Sequence, residues 1–247
     1  SILNKTTKNN AEYIILVGSE TGSTIRFAIA FKNTLLKINK TVLVAEMNNY
    51  DTYENAKNII IFTATYGDGE APINAYKFLK LTKTVQQKKN VKYAVVGFGS
   101  KQYPEYCKFA VLVDSSLQIL ANFTPEMPLF KIDNQNLKSF KSWIDQWSAR
   151  NNCTLEIDEN DVLEDTTLSF KELEDVFDGV VARGVLALTK NTSLDKKDQM
   201  QDCLTRIVKQ DKEVAIVKLC DRITNPQKPP VKWHKEKINK YHLQAIK

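Results

Sequence analysis

The sequence predicts an α/β protein. It reads as a doubly wound parallel sheet of five strands in the order 2-1-3-4-5, followed by a small C-terminal appendage with some β structure. Three observations predict this. Apolar runs alternate with amphipathic stretches over residues 1–150, the pattern of β-α units. The runs are continuous rather than alternating, as suits strands buried on both faces. Six of the eight glycines fall in pairs directly after three of these runs, where open parallel sheets bind ligands.

Strand one is Tyr13–Val17, ahead of Gly18 and Gly22. A helix follows over Ser23–Lys37, with Ile25, Phe27, Ala28, Phe31 and Leu35 on one face. Strand two is Thr41–Ala45 and strand three Asn58–Thr63, ahead of Gly67 and Gly69. Pro72 favours a helix start, giving Ile73–Leu81. Strand four is Lys92–Gly97, ending in Gly97 and Gly99. A helix over Cys107–Ala121, a short strand Met127–Phe130 and a helix Asn136–Arg150 complete the series. Trp143 and Trp147, four apart on that last helix, read as a core stripe.

After Arg150 the texture changes. Residues 151–178 read as an acidic linker: Glu156 to Asp178 holds ten acids and one Lys. Residues 179–247 read as the appendage, with strands at Val180–Leu188 and Val214–Leu219 and a helix at Gln199–Val208. The four cysteines lack metal spacing and read as free thiols of a reducing, cytoplasmic compartment. His234 and His242 lie in a lysine-rich tail and read as solvated. Residues 1–150 hold 19 basic and 12 acidic side chains, while residues 151–247 hold 16 and 17. The lysines are spread over polar faces without aromatic interleaving, which argues against nucleic acid as partner. No run is long and apolar enough for a membrane span. The chain does not begin with Met, so it reads as a piece of a longer protein, whose other parts could carry an anchor.

The three glycine loops carry the chemistry. Loop one, Gly18-Ser19-Glu20-Thr21-Gly22-Ser23-Thr24, opens a helix. It lacks the lysine of a triphosphate loop, and its glycine spacing is not that of a dinucleotide fingerprint. Hydroxyls and helix-start amides without a cation suit a phosphomonoester. Loop two, Thr63–Pro72, offers the flat face of Tyr66 beside Gly67 and Gly69. Loop three, Gly97–Cys107, offers Tyr103 and Tyr106 as a second aromatic wall.

Gly-Ser-Glu-Thr-Gly-Ser-Thr, Ala-Thr-Tyr-Gly-Asp-Gly-Glu and Val-Gly-Phe-Gly-Ser-Lys-Gln-Tyr occur in this order within residues 11–150. Together they resemble the FMN-binding, flavodoxin-like domain of the diflavin reductases, a group that includes cytochrome P450 reductase and the sulfite reductase flavoprotein subunit. The resemblance implies FMN as cofactor. Ser19, Glu20, Thr21, Gly22, Ser23 and Thr24 would hold its phosphate. Ala64, Thr65, Tyr66, Gly67 and Asp68 would line one side of the isoalloxazine, with Tyr66 stacked on it and the Gly67–Asp68 peptide facing N5. Phe98, Gly99, Ser100, Tyr103, Tyr106 and Cys107 would form the other wall, and Asp133 matches the acidic position after strand five. Ser100 and Cys107 stand where the family usually has Asn. The family's docking faces are commonly acidic, unlike the basic balance here.

The resemblance further implies single-electron transfer from an FAD/NADPH reductase module, in cis or in trans, to a redox acceptor protein. Stacked aromatics without a nearby cation would lower the potential of the fully reduced flavin. FAD and NADPH would belong only to the parent or partner. Val180–Leu188 and Val214–Leu219 would be the first strands of a truncated FAD-binding module. Two alternatives stay open on the residues: a stand-alone NAD(P)H-dependent quinone or metal reductase, and a flavin-free interaction scaffold.

Overall fold

The computed structural model describes residues 6–19, 22–162, 174, 179–189, 191, 194–195 and 197–227. Two compact units divide the chain, Ser1–Val176 and Phe177–Lys247.

In the first unit the order is β1 (Tyr13–Gly18), α1 (Ser23–Lys37), β2 (Val42–Glu46), β3 (Asn58–Ala64), α2 (Phe78–Thr84), β4 (Val91–Gly99), α3 (Lys108–Gln118), β5 (Phe123–Pro125), β6 (Phe130–Asp133) and α4 (Leu137–Arg150). The strands pair in parallel in the order β2-β1-β3-β4-β5, as the apolar runs predict. Every residue of β1 is buried, because helices cover both faces. On one face Phe27, Phe31, Phe62, Phe140, Trp143 and Trp147 interlock, Phe31 edge to face with Trp143 at 5.1 Å and Phe140 stacked on Trp143 at 5.9 Å. Both tryptophans are fully buried.

The expected fifth strand, Met127–Phe130, is two pieces. Phe123–Pro125 pairs with the start of β4 and Phe130–Asp133 with its end. Pro125 and Pro128 offer no N–H for a continuous ladder. Glu126 bridges the gap by donating its N–H to the Tyr93 carbonyl at 2.8 Å. Helix α2 begins five residues later than the Pro72 signal predicts. Residues 73–77 instead form turns, held where Asn48 N–H donates to the Asn74 carbonyl at 2.9 Å and Lys77 N–H to Asn48 Oδ1 at 2.8 Å.

The second unit overturns the expected β structure. Gly179–Leu188 is helix α5, Gln199–Ile207 is α6 as predicted, and Lys212–Gln227 is α7. Among the described residues this unit contains no strand. Two short strands without a sheet to join would leave their backbone groups unpaired, whereas helices satisfy them locally. Ala182 and Ala187 on α5 are buried, as are Cys203 and Ile207 on α6. Arg206 ties α6 to the end of α5, donating to the carbonyls of Leu186 and Thr189 while paired with Asp202 at 2.8 Å. The strands expected to open an FAD-binding barrel are therefore helices. Most of the acidic linker and the histidine-bearing tail lie outside the described residues.

Candidate functional site

The three glycine loops meet at one edge of the sheet. β1, β3 and β4 are neighbours in register, Gly18 beside Thr63 and Thr63 beside Gly97, so their carboxyl ends stand side by side.

Loop one enters α1 through Gly22, whose φ is 81°. Ser19 and Thr24 are 6% and 1% exposed. Neither Ser19 Oγ nor Thr24 Oγ1 has a hydrogen-bond partner among the described residues. Buried hydroxyls are costly unless paired, so two orphans at one helix start mark where a ligand's acceptor oxygens belong. Glu20 and Thr21 lie outside the described residues.

Loop two is a closed turn. Tyr66 N–H donates to the Glu70 carbonyl at 3.0 Å, and Glu70 N–H returns to the Tyr66 carbonyl at 2.7 Å. Gly67 at φ 49° and Gly69 at φ 104° supply the positive dihedrals that close it. Thr65 Oγ1 accepts the Phe109 N–H at 3.2 Å, joining loop two to the first turn of α3.

Loop three runs from β4 into α3 through Cys107, a non-glycine residue at φ 55°. Asp133 Oδ1 accepts the Lys101 N–H at 2.9 Å, and Asn134 N–H donates to the Gly99 carbonyl at 2.8 Å. A Cβ on Gly97 would stand 2.6 Å from that of Ala110. This glycine therefore serves the close approach of α3 to β4, a task the loop pattern alone did not disclose.

A cavity of about 350 Å³ opens between the loops, with Thr65, Tyr66 and Gly67 on one side and Gly99, Ser100, Tyr103, Tyr106 and Cys107 on the other. Tyr66 and Tyr103 are 53% and 64% exposed. Two large aromatic faces left to solvent beside a ring-sized cavity suit a stacked planar ligand.

Not every expected residue reaches it. Phe98 is 2% exposed, its ring 4.8 Å from Phe27 in the core, so only its backbone borders loop three. Ala64 ends β3 and pairs with Phe98, outside the cavity wall. Asp68 sits exposed at the turn tip. Asp133 steadies loop three rather than lining the cavity. The Lys131 and Lys101 amines stand 5.7 and 6.0 Å from the Tyr106 ring centre, and the ionisable carboxylate on the cavity wall itself is Glu105. Burial pushes the Cys107 thiol up to about 11, so it is protonated at neutral pH, and burial likewise raises the Tyr106 phenol. Sequence reading missed Asn74, which is buried and accepts the Ser19 N–H at 2.8 Å. Its partner lies 55 residues away, so no local signal marks it. Among the described residues no cluster of side chains could hold a metal.

The sequence model of the flavodoxin family, described as Flavodoxin, matches residues 15–172. The chain belongs to the flavodoxin family. Oxidised flavodoxin 1 from Bacillus cereus superposes with a TM-score of 0.50 at 16% identity, over 57% of this chain and 97% of that one, which supports the same fold. Inducible nitric oxide synthase from Oncorhynchus mykiss is 27% identical over 147 residues, covering 58% of this chain and 31% of that protein. NADPH–cytochrome P450 reductase from Drosophila melanogaster is 30% identical over 159 residues, covering 60% and 23%. This flavodoxin chain thus spans about a third or less of the length of these curated relatives. With the family comes FMN as cofactor, and the two orphaned hydroxyls of loop one, beside an aromatic cavity, fit its phosphate and ring.

Proposed function

We propose that this flavodoxin domain carries electrons on FMN, received from an FAD/NADPH reductase module in cis or in trans and passed to a redox acceptor protein. The observation that carries the reading is the pair of orphaned hydroxyls, Ser19 Oγ and Thr24 Oγ1, at the start of α1. Ser19, Gly22, Ser23 and Thr24, with Glu20 and Thr21, hold the phosphate by hydroxyls, amides and the partial positive charge of the helix start. Thr65, Tyr66 and Gly67 on one side, and Gly99, Ser100, Tyr103, Tyr106 and Cys107 on the other, hold the ring, with Tyr66 and Tyr103 as stacking faces. Phe98 and Ala64 contribute through their backbones, and Asp68 through the Gly67–Asp68 peptide. The flavin supplies the redox chemistry when bound; the protein binds it, orients it and adjusts its potential.

Lys101 and Lys131 bring positive charge to the Tyr106 wall. Glu105 on the cavity wall brings a negative charge to the same side, so the aromatic faces and these opposed charges together set the potential of the occupant. The protonated Cys107 thiol is a weak donor where an amide is usual.

The experiment is an absorbance spectrum of purified protein with and without added FMN, followed by NADPH addition. A bound-flavin spectrum and almost no NADPH oxidation by this chain alone are expected. Colourless protein after FMN addition rejects the reading. Rapid NADPH oxidation moves the chain into the class of self-sufficient reductases.

A further inference from the structure

We infer that Asn74 is the positioning residue that holds the phosphate loop in its binding conformation, acting through Ser19. The inference rests on the assignment of FMN phosphate to loop one. Asn74 is 8% exposed and lies in the turn region 73–77, far from loop one in sequence. Its carboxamide Oδ1 accepts the Ser19 N–H at 2.8 Å, and its Nδ2 donates to Glu46 Oε1 at 3.4 Å. Each partner admits only one role: an amide N–H must donate and a carboxylate must accept. The orientation of the carboxamide is therefore fixed by its neighbours. The backbone of Asn74 is fixed too, since its carbonyl accepts the Asn48 N–H at 2.9 Å.

The consequence falls on Ser19. With its N–H turned to Asn74, Ser19 cannot present that amide to a ligand, and what it has to offer is Oγ, buried and unpartnered. Asn74 thereby selects which Ser19 donor faces the phosphate. Loop one has no lysine to compensate for a misplaced hydroxyl, so the cradle depends on geometry rather than on net charge. Asn74 also accounts for the late start of α2. Were residues 73–77 helical from Pro72 onward, the side chain of Asn74 would be carried around the helix and away from β1.

The test compares FMN with riboflavin, which lacks the phosphate, by flavin-fluorescence titration of wild type and Asn74→Ala. Wild type is expected to prefer FMN by roughly a hundredfold or more. In Asn74→Ala the FMN Kd rises about tenfold, the scale of one lost buried hydrogen bond, while the riboflavin Kd stays within about twofold. A merely structural role would weaken both flavins together, and that result overturns the inference, as does an unchanged FMN preference. If Asn74→Ala binds neither flavin because it does not fold, Asn74→Leu, which keeps the volume and removes the acceptor, is read by the same ratio. Faster exchange of the Ser19 amide hydrogen in the variant is the accompanying sign. Equal affinity of wild type for FMN and riboflavin would instead reject the phosphate assignment itself, and the inference with it.

Discussion

Cys107 joins two constraints at one residue. Its φ of 55° is uncommon for any side chain other than Asn or Asp, and the side chain is wholly buried against Gly97 and Gly99. Burial holds the thiol proton to about pH 11, against about 9 when unfolded. Because the folded state keeps this proton longer, stability is full below pH 9 and falls as pH rises towards 11. Two pH units of difference correspond to a loss of at most about 3 kcal/mol. Urea unfolding at pH 8 and pH 10.5 checks this: Cys107→Ala should lose distinctly less stability over that interval than wild type. Gly97 sits across the same contact. Gly97→Ala sets two methyl groups 2.6 Å apart and should cost about 1–3 kcal/mol of unfolding free energy. Tyr66 is the opposite case. It is half exposed, so Tyr66→Ala should leave the melting temperature within a few degrees yet raise the FMN Kd about tenfold or more, by loss of one stacking face.

At the scale of elements, the sheet and the three loops were legible because two strong signals coincide. Apolar runs such as Tyr13–Val17 alternate with amphipathic stretches, and glycine pairs end them. The residues proposed for the site, Ser19, Thr24, Tyr66 and Tyr103, stand on those loops and could be named for the same reason. What was not legible depends on distant partners. Asn74 is recruited by Ser19 from another loop, and this delays α2. Phe98 lies in a loop-three motif, yet alternation along β4 turns its ring into the aromatic core. The segments Val180–Leu188 and Val214–Leu219 failed differently. A short apolar run has the same composition in a buried strand and in a helix, and periodicity cannot separate them. What decides is that helices satisfy their backbone groups locally where there is no sheet to join; Arg206 then anchors the end of α5 through the Leu186 and Thr189 carbonyls. Arg206→Ala removes both bonds and the Asp202 pair. It should reduce protection of α5 amides in hydrogen exchange while leaving β1, β3 and β4 unaffected, since the two units are separately compact.

For the whole molecule, the distribution of charge matters most. Residues 71–90 contain five lysines and no acid. Lys77, Lys80 and Lys83 are exposed on α2 and just before it, next to the exposed Ile73 and Tyr76. A basic surface beside an electron-carrying edge favours an acidic partner face. With FMN bound and reduced, electron transfer to an acidic haem protein such as cytochrome b5 should slow steadily as salt is raised, while transfer to a basic cytochrome c should stay flat or quicken. Stopped-flow rates at several ionic strengths decide it, and the reverse ordering would show docking by some other face. No helix among the described residues is long and apolar enough to cross a membrane.

The closed turn of loop two has one more consequence. Its ends are pinned by reciprocal bonds between Tyr66 and Glu70, while the Gly67 carbonyl and the Asp68 amide enter no backbone hydrogen bond among the described residues. It is a crank held at both bearings. Turning the Gly67–Asp68 peptide plane would change ψ of Gly67 and φ of Asp68, and glycine takes its share without a side-chain clash. Because Asp68 is exposed at the tip, a change in that peptide is displayed at the surface while the paired Tyr66 and Glu70 hold the base of the turn in place.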